Sequence, residues 1–362
     1  MKYRILMPIY GKANINRANG VNQVIAGLKK YLEKKNIDVY LFGLTKNNTK
    51  NKNKEYFFES RIKFFIELNK VLKKFHLVHL HASYNLIALL TPLFCMINNT
   101  KYIITLHNSL NRETKKKNTF RKILFDILFH KYILNNASAI HVITKEEKLR
   151  LLNDYKYVNT DIVVICNGVD HELYPKSILK NNIKNKIFTF GYLGRISPEK
   201  NIKNLLEAAV NLGNKYKFRI IIAGPIDRYA RDLMKEYNNY SHLEFIGEVY
   251  NEKKIKFYQS IDAFILPSKT DVFSIAAMEA LTCGVPLLIS NKADVKDHQN
   301  KKFIKIIGTD VKSIMLGMKD SLNNKEKIFH KEIINKYANE KFNWEKSTKD
   351  FVKLYLKIIT NV

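Results

Sequence analysis

Two carboxylates, Asp271 and Glu279, flank an expected loop-to-helix junction in the stretch Thr270-Asp-Val-Phe-Ser-Ile-Ala-Ala-Met-Glu-Ala-Leu-Thr-Cys-Gly-Val-Pro286. Ser274 is placed as an N-cap, Ile275 to Cys283 holds no breaker, Gly284 fits the position just past the helix, and Pro286 forbids continuation. The backbone N–H groups of Phe273, Ser274 and Ile275 then lie at the positive end of a short helix, a place for a phosphate or a polarised sugar hydroxyl. Glu279, one turn further in, is placed to accept two hydrogen bonds from a vicinal diol such as a ribose. A second loop, Gly191-Tyr-Leu-Gly-Arg-Ile-Ser-Pro-Glu-Lys-Asn201, follows an expected strand, and its cations Arg195 and Lys200 can converge on an anion. Ser197-Pro198-Glu199 reads there as N-cap, first helical residue and first-turn acid. Together these groups suit a nucleotide sugar. The plainer reading is a solvated glutamate on a helix face and two surface cations in a Lys-rich chain.

Smaller elements fall at other junctions. Asn19-Gly20-Val21 sits where a loop enters a helix, and Thr105-Leu106-His107-Asn108 follows a strand. His79 and His81 alternate on a strand and so share one face. Ala223-Gly224-Pro225 ends one strand, and Phe245-Ile-Gly-Glu-Val249 runs out of the next.

The Asp271–Pro286 stretch resembles the E-x7-E signature of the family 4 retaining glycosyltransferases, whose usual form reads like E-P-F-G-L-x-x-x-E-A-M-A-x-G-x-P. Asp271 stands for the first Glu and Ser274 for the usual Gly, while Glu279, Ala280, Gly284 and Pro286 match. Gly191–Asn201 is similar to the family's G-R-x-x-x-x-K-G element, with Asn201 where Gly is commoner. The resemblance implies that Asp271 contacts donor-sugar hydroxyls and that Glu279 holds the nucleotide ribose. It implies that Arg195 and Lys200 clamp the donor diphosphate, on which charge grows as the glycosidic bond breaks. By the same resemblance the Gly20 loop approaches the diphosphate, His107 reaches the donor sugar, the Gly224 loop lies near the nucleotide, and Val249 contacts the base. The histidine pair at 79 and 81 is structural on this reading, and Asn167-Gly168-Val169-Asp170 shapes a hinge. Glu279→Ala is expected to abolish transfer and leave the fold intact.

The elements that must position these residues alternate along the chain. Strands are expected at Arg4–Ile9, Val39–Phe42, Leu77–His81, Tyr102–Leu106, Ala139–Thr144 and Ile162–Ile165, with a helix carrying Val21, Val24, Ile25, Leu28 and Leu32 on one stripe. The polar run Lys176–Lys186 reads as a linker. Alternation restarts with a strand at Ile187–Leu193 and a helix at Ile202–Leu212. Further strands fall at Phe218–Ala223, Leu243–Ile246, Ala263–Leu266 and Val285–Ile289, with a helix near Tyr229–Tyr237. Repeated βα units predict parallel sheets covered on both faces. The expected fold is therefore α/β, two doubly wound Rossmann-like domains facing across a cleft, the architecture called GT-B in the family. The first spans 1–175 on the acceptor side, the linker 176–186, and the nucleotide-sugar-binding domain 187–342. A C-terminal helix within 343–362 is expected to cross back to the first domain.

Composition bounds the rest. The chain has 362 residues, 46% hydrophobic and 26% charged, as core-forming proteins have. Cys95, Cys166 and Cys283 are scattered, which argues for a reducing compartment and against structural zinc. The first residues read as a strand rather than a signal peptide. The closest approach to a membrane span, Leu86–Ile97, is expected to be broken by Pro92. The 62 Lys and Arg against 33 Asp and Glu give +29, a field favouring anionic partners or a compositional bias spread along the chain. No nucleic-acid motif, G-x-G-x-x-G after the first strand, P-loop or Asp-x-Asp occurs. The expectation is thus a metal-independent hexosyltransferase using a UDP- or GDP-linked sugar as substrate, with no cofactor and no nucleic-acid partner. Its acceptor is a glycan or lipid-linked intermediate of surface-polysaccharide assembly. A non-catalytic binding subunit of the same fold is the alternative. Placement is cytoplasmic. The basic stretch Arg112–Asn135 either rests on an anionic membrane surface on the inner face or buries its apolar side in the domain.

Overall fold

The computed structural model describes residues 2–11, 20–45, 53–81, 85–107, 131–174, 187–272, 274–294, 298, 300–324 and 330–360. Phe273, Asn19, Asn108, the linker 176–186 and residues 112–130 of the basic stretch lie outside them. The chain divides into two compact units, Met1–Gly168 with Trp344–Val362, and Val169–Asn343.

The first unit is built on a seven-stranded sheet of order β3-β2-β1-β4-β5-β6-β7, every described pairing parallel. Its strands are β1 (Tyr3–Tyr10), β2 (Ile37–Leu44), β3 (Glu55–Phe58), β4 (Leu77–His81), β5 (Tyr102–Thr105), β6 (Ala139–Val142) and β7 (Ile162–Val164). Register runs from Tyr3 opposite Ile37 to Tyr10 opposite Leu44. The helices are α1 (Gly20–Glu33), α2 (Arg61–Val71), α3 (Leu86–Ile97), α4 (Lys131–Asn135) and α5 (Lys145–Asp154). Helix α3 runs through Pro92 instead of breaking there; the ring removes one N–H, while burial of Ile87, Ala88, Thr91 and Cys95 holds the helix in place. Ile133 and Leu134 of α4 are buried, so the described end of the basic stretch packs into the unit.

The second unit carries a six-stranded parallel sheet of order β10-β9-β8-β11-β12-β13. Its strands are β8 (Thr189–Leu193), β9 (Arg219–Ala223), β10 (Leu243–Gly247), β11 (Ala263–Leu266), β12 (Leu287–Ser290) and β13 (Ile304–Ile307). Around them lie α6 (Ile202–Gly213), α7 (Arg228–Glu236), α8 (Asn251–Ser260), α9 (Ile275–Thr282), α10 (Val311–Asn323) and α11 (Lys331–Lys341). Both sheets have the doubly wound order, reversing between β1 and β4 in one and between β8 and β11 in the other. The fold is the expected pair of Rossmann-like domains. Strands β3 and β13 were not expected; both are four-residue edge strands in Lys-rich surroundings, where pairing on one side leaves a weak apolar signal.

The last helix, α12 (Trp344–Thr360), packs on α1 in the first unit. A Cβ on Gly27 would come within 2.5 Å of Trp344 Nε1, and one on Gly168 within 2.5 Å of Trp344 Cγ, so two glycines admit the indole. A buried polar chain ties this helix to the sheet. Ile165 O can only accept, so His141 Nε2–H donates to it at 2.8 Å, leaving His141 Nδ1 to accept from Thr105 Oγ1 at 2.8 Å. Thr105 Oγ1 then accepts from His79 Nε2 at 2.6 Å, and His79 Nδ1 accepts from the Tyr355 hydroxyl at 2.6 Å. Each group is buried and each tautomer follows from its neighbour. Both ring nitrogens of His79 are thereby engaged within the protein.

Candidate functional site

In the second unit the expected donor residues gather at the carboxyl ends of the strands around the reversal. Three loops there are bound by backbone hydrogen bonds: Gly194 N–H donates to Ala223 O at 3.0 Å, and Gly224 N–H donates to Gly247 O at 2.8 Å. A Cβ on Gly224 would meet Gly194 O at 1.9 Å, so only glycine permits this approach. Val249, just past β10, is buried. Tyr192 donates its hydroxyl to Arg195 O at 2.6 Å, shaping the loop from below. The Arg195 side chain is exposed, and among the described residues no carboxylate holds its guanidinium.

Lys200 Nζ donates to Asp271 Oδ2 at 2.5 Å, with both side chains largely buried. The loops after β8 and β11 are joined further by Lys269 N–H to Glu199 O at 2.9 Å. Ser197 is corrected as a side-chain cap: Pro198–Lys200 form one 3-10 turn, and the Ser197 hydroxyl is buried without a partner. The longer helix starts only after Asn201, which adopts the left-handed conformation (φ 61°, ψ 33°). That conformation is why glycine is common at this position, and asparagine tolerates it. Asn201 Nδ2 also donates to Pro267 O at 3.1 Å and Thr309 O at 2.7 Å, which fastens the cation loop from beneath.

Helix α9 starts at Ile275 as expected, with extended backbone at Ser274, but the Ser274 side chain makes no capping hydrogen bond. Among the described residues nothing accepts from the Ser274 or Ile275 N–H. Its end follows the sequence closely: Gly284 has φ 73°, its N–H donates to Leu281 O, and Val285 N–H donates to Ala280 O, both at 2.9 Å. That is a Schellman ending.

Glu279 differs from expectation. It is buried, with Lys254 Nζ 2.6 Å from Oε1 and the Tyr258 hydroxyl 2.9 Å from Oε2. Removing it would strand a buried ammonium, so Glu279→Ala is no longer expected to spare the fold. Sequence reasoning missed Lys254. Its signal was available: Lys254, Phe257 and Tyr258 occupy the buried face of α8 at i, i+3 and i+4.

Gly20 and His107 belong to the first unit. Gly20 opens α1, and His107 follows β5 in the left-handed region at φ 48°. His107 Nε2 lies 3.0 Å from His81 Nδ1, the rings stacked at 27°. Burial pushes the His107 imidazole down to about 3, with His141 adding to the effect, so it is a neutral group. His81 lines a cavity of about 190 Å³ with Pro8, Tyr10 and Asn22.

Two parallel sheets that reverse their strand order define a doubly wound α/β fold, in which ligands bind at the carboxyl ends of the strands, where the cations and carboxylates of the second unit lie. A family described as Glycosyl transferases group 1 matches residues 175–341, and Glycosyltransferase Family 4 matches residues 18–173. The chain belongs to these group 1, family 4 glycosyltransferases. It is 28% identical over 266 residues to an uncharacterised glycosyltransferase of Methanocaldococcus jannaschii, covering 69% of this chain and 65% of that one. The chain thus spans less than two thirds of that relative. It is 27% identical over 330 residues to the UDP-Gal:alpha-D-GlcNAc-diphosphoundecaprenol alpha-1,3-galactosyltransferase of Escherichia coli, covering 83% and 80% of the two chains. Sucrose-phosphate synthase of Thermosynechococcus elongatus superposes at TM-score 0.80 with 17% identity over 100% of both chains. Anabaena HepE, solved with UDP-glucose, superposes at 0.74 with 14% identity, covering 97% of this chain and 98% of that one. These structures share the fold.

Proposed function

We propose that the protein is a retaining glycosyltransferase that moves a hexose-type sugar from a UDP- or GDP-linked donor to a glycan or lipid-linked acceptor, without a divalent metal. The observation that carries this reading is the Lys200–Asp271 contact at the strand-order reversal, with the exposed Arg195 on the same loop. Arg195 and Lys200 stabilise the charge that develops on the leaving diphosphate. Lys200 turns from Asp271 toward the phosphates when donor binds, and Asp271 is then free to accept from sugar hydroxyls. The N–H groups of Ser274 and Ile275 assist at the anion, and Glu279 accepts from the ribose. Val249 and the Gly224 loop take the base side. By the family resemblance we also assign Gly20 and the neutral His107 of the first unit to the donor, His107 as a hydrogen-bond partner of the sugar rather than a cation. No protein nucleophile is assigned; the acceptor oxygen attacks on the face the diphosphate leaves. The galactosyltransferase relative, named for a diphosphoundecaprenol-linked acceptor, supports a lipid-linked acceptor. Among the described residues no helix is long and apolar enough to cross a membrane.

The test is thermal stabilisation by UDP, GDP, ADP and CMP without metal. A ligand binding only the folded state at ~100 times its dissociation constant adds about 2.7 kcal/mol. Selective stabilisation by one diphosphate, lost in Arg195→Ala, is the expected result. No stabilisation by any nucleotide sinks the donor site and favours the non-catalytic binding subunit.

A further inference from the structure

Helix α8 carries three lysines in its first two turns, Lys253, Lys254 and Lys256, as the Lys-rich composition would place them anywhere. Lys253 and Lys256 are exposed, but Lys254 is buried on the face that also buries Phe257 and Tyr258. An ammonium at a core position carries a large desolvation cost, offset only by a well-placed partner. That partner is Glu279 Oε1 at 2.6 Å, with side-chain exposures of 7% for Lys254 and 9% for Glu279. The Tyr174 ring lies under the same ammonium, 5.9 Å from Nζ to the ring centre. An apolar pair of similar volume would hold α8 against α9 as well or better, so stability gives no reason for charges here.

The carboxylate itself supplies one. Lys254 takes one lone-pair site on Oε1, and Tyr258 takes one on Oε2 while sharing its proton with Ala276 O at 3.0 Å. The Tyr174 hydroxyl faces the same carboxylate but makes no hydrogen bond, so each oxygen keeps a second acceptor site. We propose that Lys254 is a positioning residue for the nucleotide: it holds Glu279 ionised and turned so that the remaining acceptor sites receive the 2′- and 3′-hydroxyls of a ribose. The proposal rests on the assignment of Glu279 to the ribose in the reading above. Charge-assisted hydrogen bonds are about twice as strong as neutral ones, so ionisation sets the strength of the diol contact. The Lys254 charge also cancels that of Glu279, which removes a repulsion toward the diphosphate of the same ligand.

The titratable groups facing Glu279 are Lys254 and Tyr258 from α8, Tyr174 from the segment before the linker, and Cys283 just past its own helix. Asp170 and Lys331 act from further out, on Tyr174 and Cys283 respectively. Lys254 is the cation in direct contact among these. Without that cation a low-dielectric pocket favours a neutral carboxyl over a charged one. Raising the pH then ionises it again and restores the acceptor.

The experiment measures dissociation constants of UDP, GDP and ADP, and of their 2′-deoxy forms, by calorimetry on the full chain. Wild type, Lys254→Met, Lys254→Arg and Glu279→Gln are compared from about pH 6 to about pH 9. Lys254→Met is expected to weaken the preferred diphosphate on the order of tenfold to a hundredfold at low pH, with the ratio to wild type shrinking as pH rises. Its preference for ribose over 2′-deoxyribose should shrink at low pH and return at high pH, and Lys254→Arg should restore the wild-type profile. A Lys254→Met ratio of one throughout, alongside a weakened Glu279→Gln, overturns the positioning role and leaves the ribose assignment standing. A Glu279→Gln variant that binds ribo- and 2′-deoxynucleotides as wild type does overturns the ribose assignment and the proposal together. Should Lys254→Met not fold, Lys254→Gln keeps a donor without the charge; the same pH-dependent weakening is expected, and a flat ratio of one overturns the proposal.

Discussion

At the reversal in the first sheet, between β1 and β4, and on the neighbouring strands, the polar side chains are imidazoles and hydroxyls: His79, His81, Thr105 and His141. At the reversal in the second sheet, between β8 and β11, the side chains on the adjoining loops and helices are charged: Lys200 with Asp271, and Lys254 with Glu279. The strand orders match, so the difference lies in the chemistry of the side chains placed there. Burial lowers the affinity of these imidazoles for protons, and the chain from Ile165 to Tyr355 satisfies its own donors and acceptors, while His81 Nε2 is buried without a partner among the described residues. That chain ends on Tyr355 and fastens the last helix. Charges in the second unit pair with one another instead, Lys254 with Glu279 in the interior and Lys200 with Asp271 between two partly buried loops. One reversal carries a network of neutral groups, and the other carries charge pairs.

The sharpest way to break this contrast is to remove one member of each network. Glu279→Ala should destabilise the protein by about 3–5 kcal/mol, because Lys254 stays buried and unpaired. Chemical denaturation checks this, and Lys254→Met combined with Glu279→Ala should recover much of the loss. A cost near zero for Glu279→Ala would mean that the pair is solvated. Lys200→Ala should lower transfer by roughly 10²–10³-fold, a larger effect than the stability lost by leaving the partly buried Asp271 without its cation. Equal losses of stability and activity would place Lys200 with the structural network instead. Tyr355→Phe should cost about 1–3 kcal/mol by leaving His79 Nδ1 unsatisfied, with nucleotide affinity unchanged. A nucleotide defect in that variant would erase the division of labour. The smallest effect is the pH dependence. Histidines held neutral below their ordinary 6.5, His141 at about 4, bind protons more readily when unfolded, so their contribution is complete above about 6.5 and lost as pH falls toward 4. Thermal melts of wild type and His141→Asn across that window measure it; a parallel decline in both would remove His141 as the source.

Much of this was readable before any coordinates. The alternation of apolar runs placed both sheets, and Gly284 with Pro286 marked the end of α9 because a left-handed residue and a missing N–H leave little else possible. Arg195, Lys200, Asp271 and Gly224 fell at strand ends, where ligands bind in this kind of sheet. Edge strands β3 and β13 escaped notice because one-sided pairing asks little of the sequence. Ser197 and Ser274 looked like caps by residue type, but a cap is a hydrogen bond, and neither side chain makes it.

The chain by itself determined which segments alternate, where glycine is required, and which residue types meet at the loops, since those follow from periodicity and backbone sterics over a few residues. Only the tertiary structure decided which lysine of three on α8 is buried, that Glu279 is its partner, and that Tyr355 closes a chain begun at Ile165. Those pairings join residues far apart in sequence, and their energies depend on burial and distance, which no local pattern of residues contains.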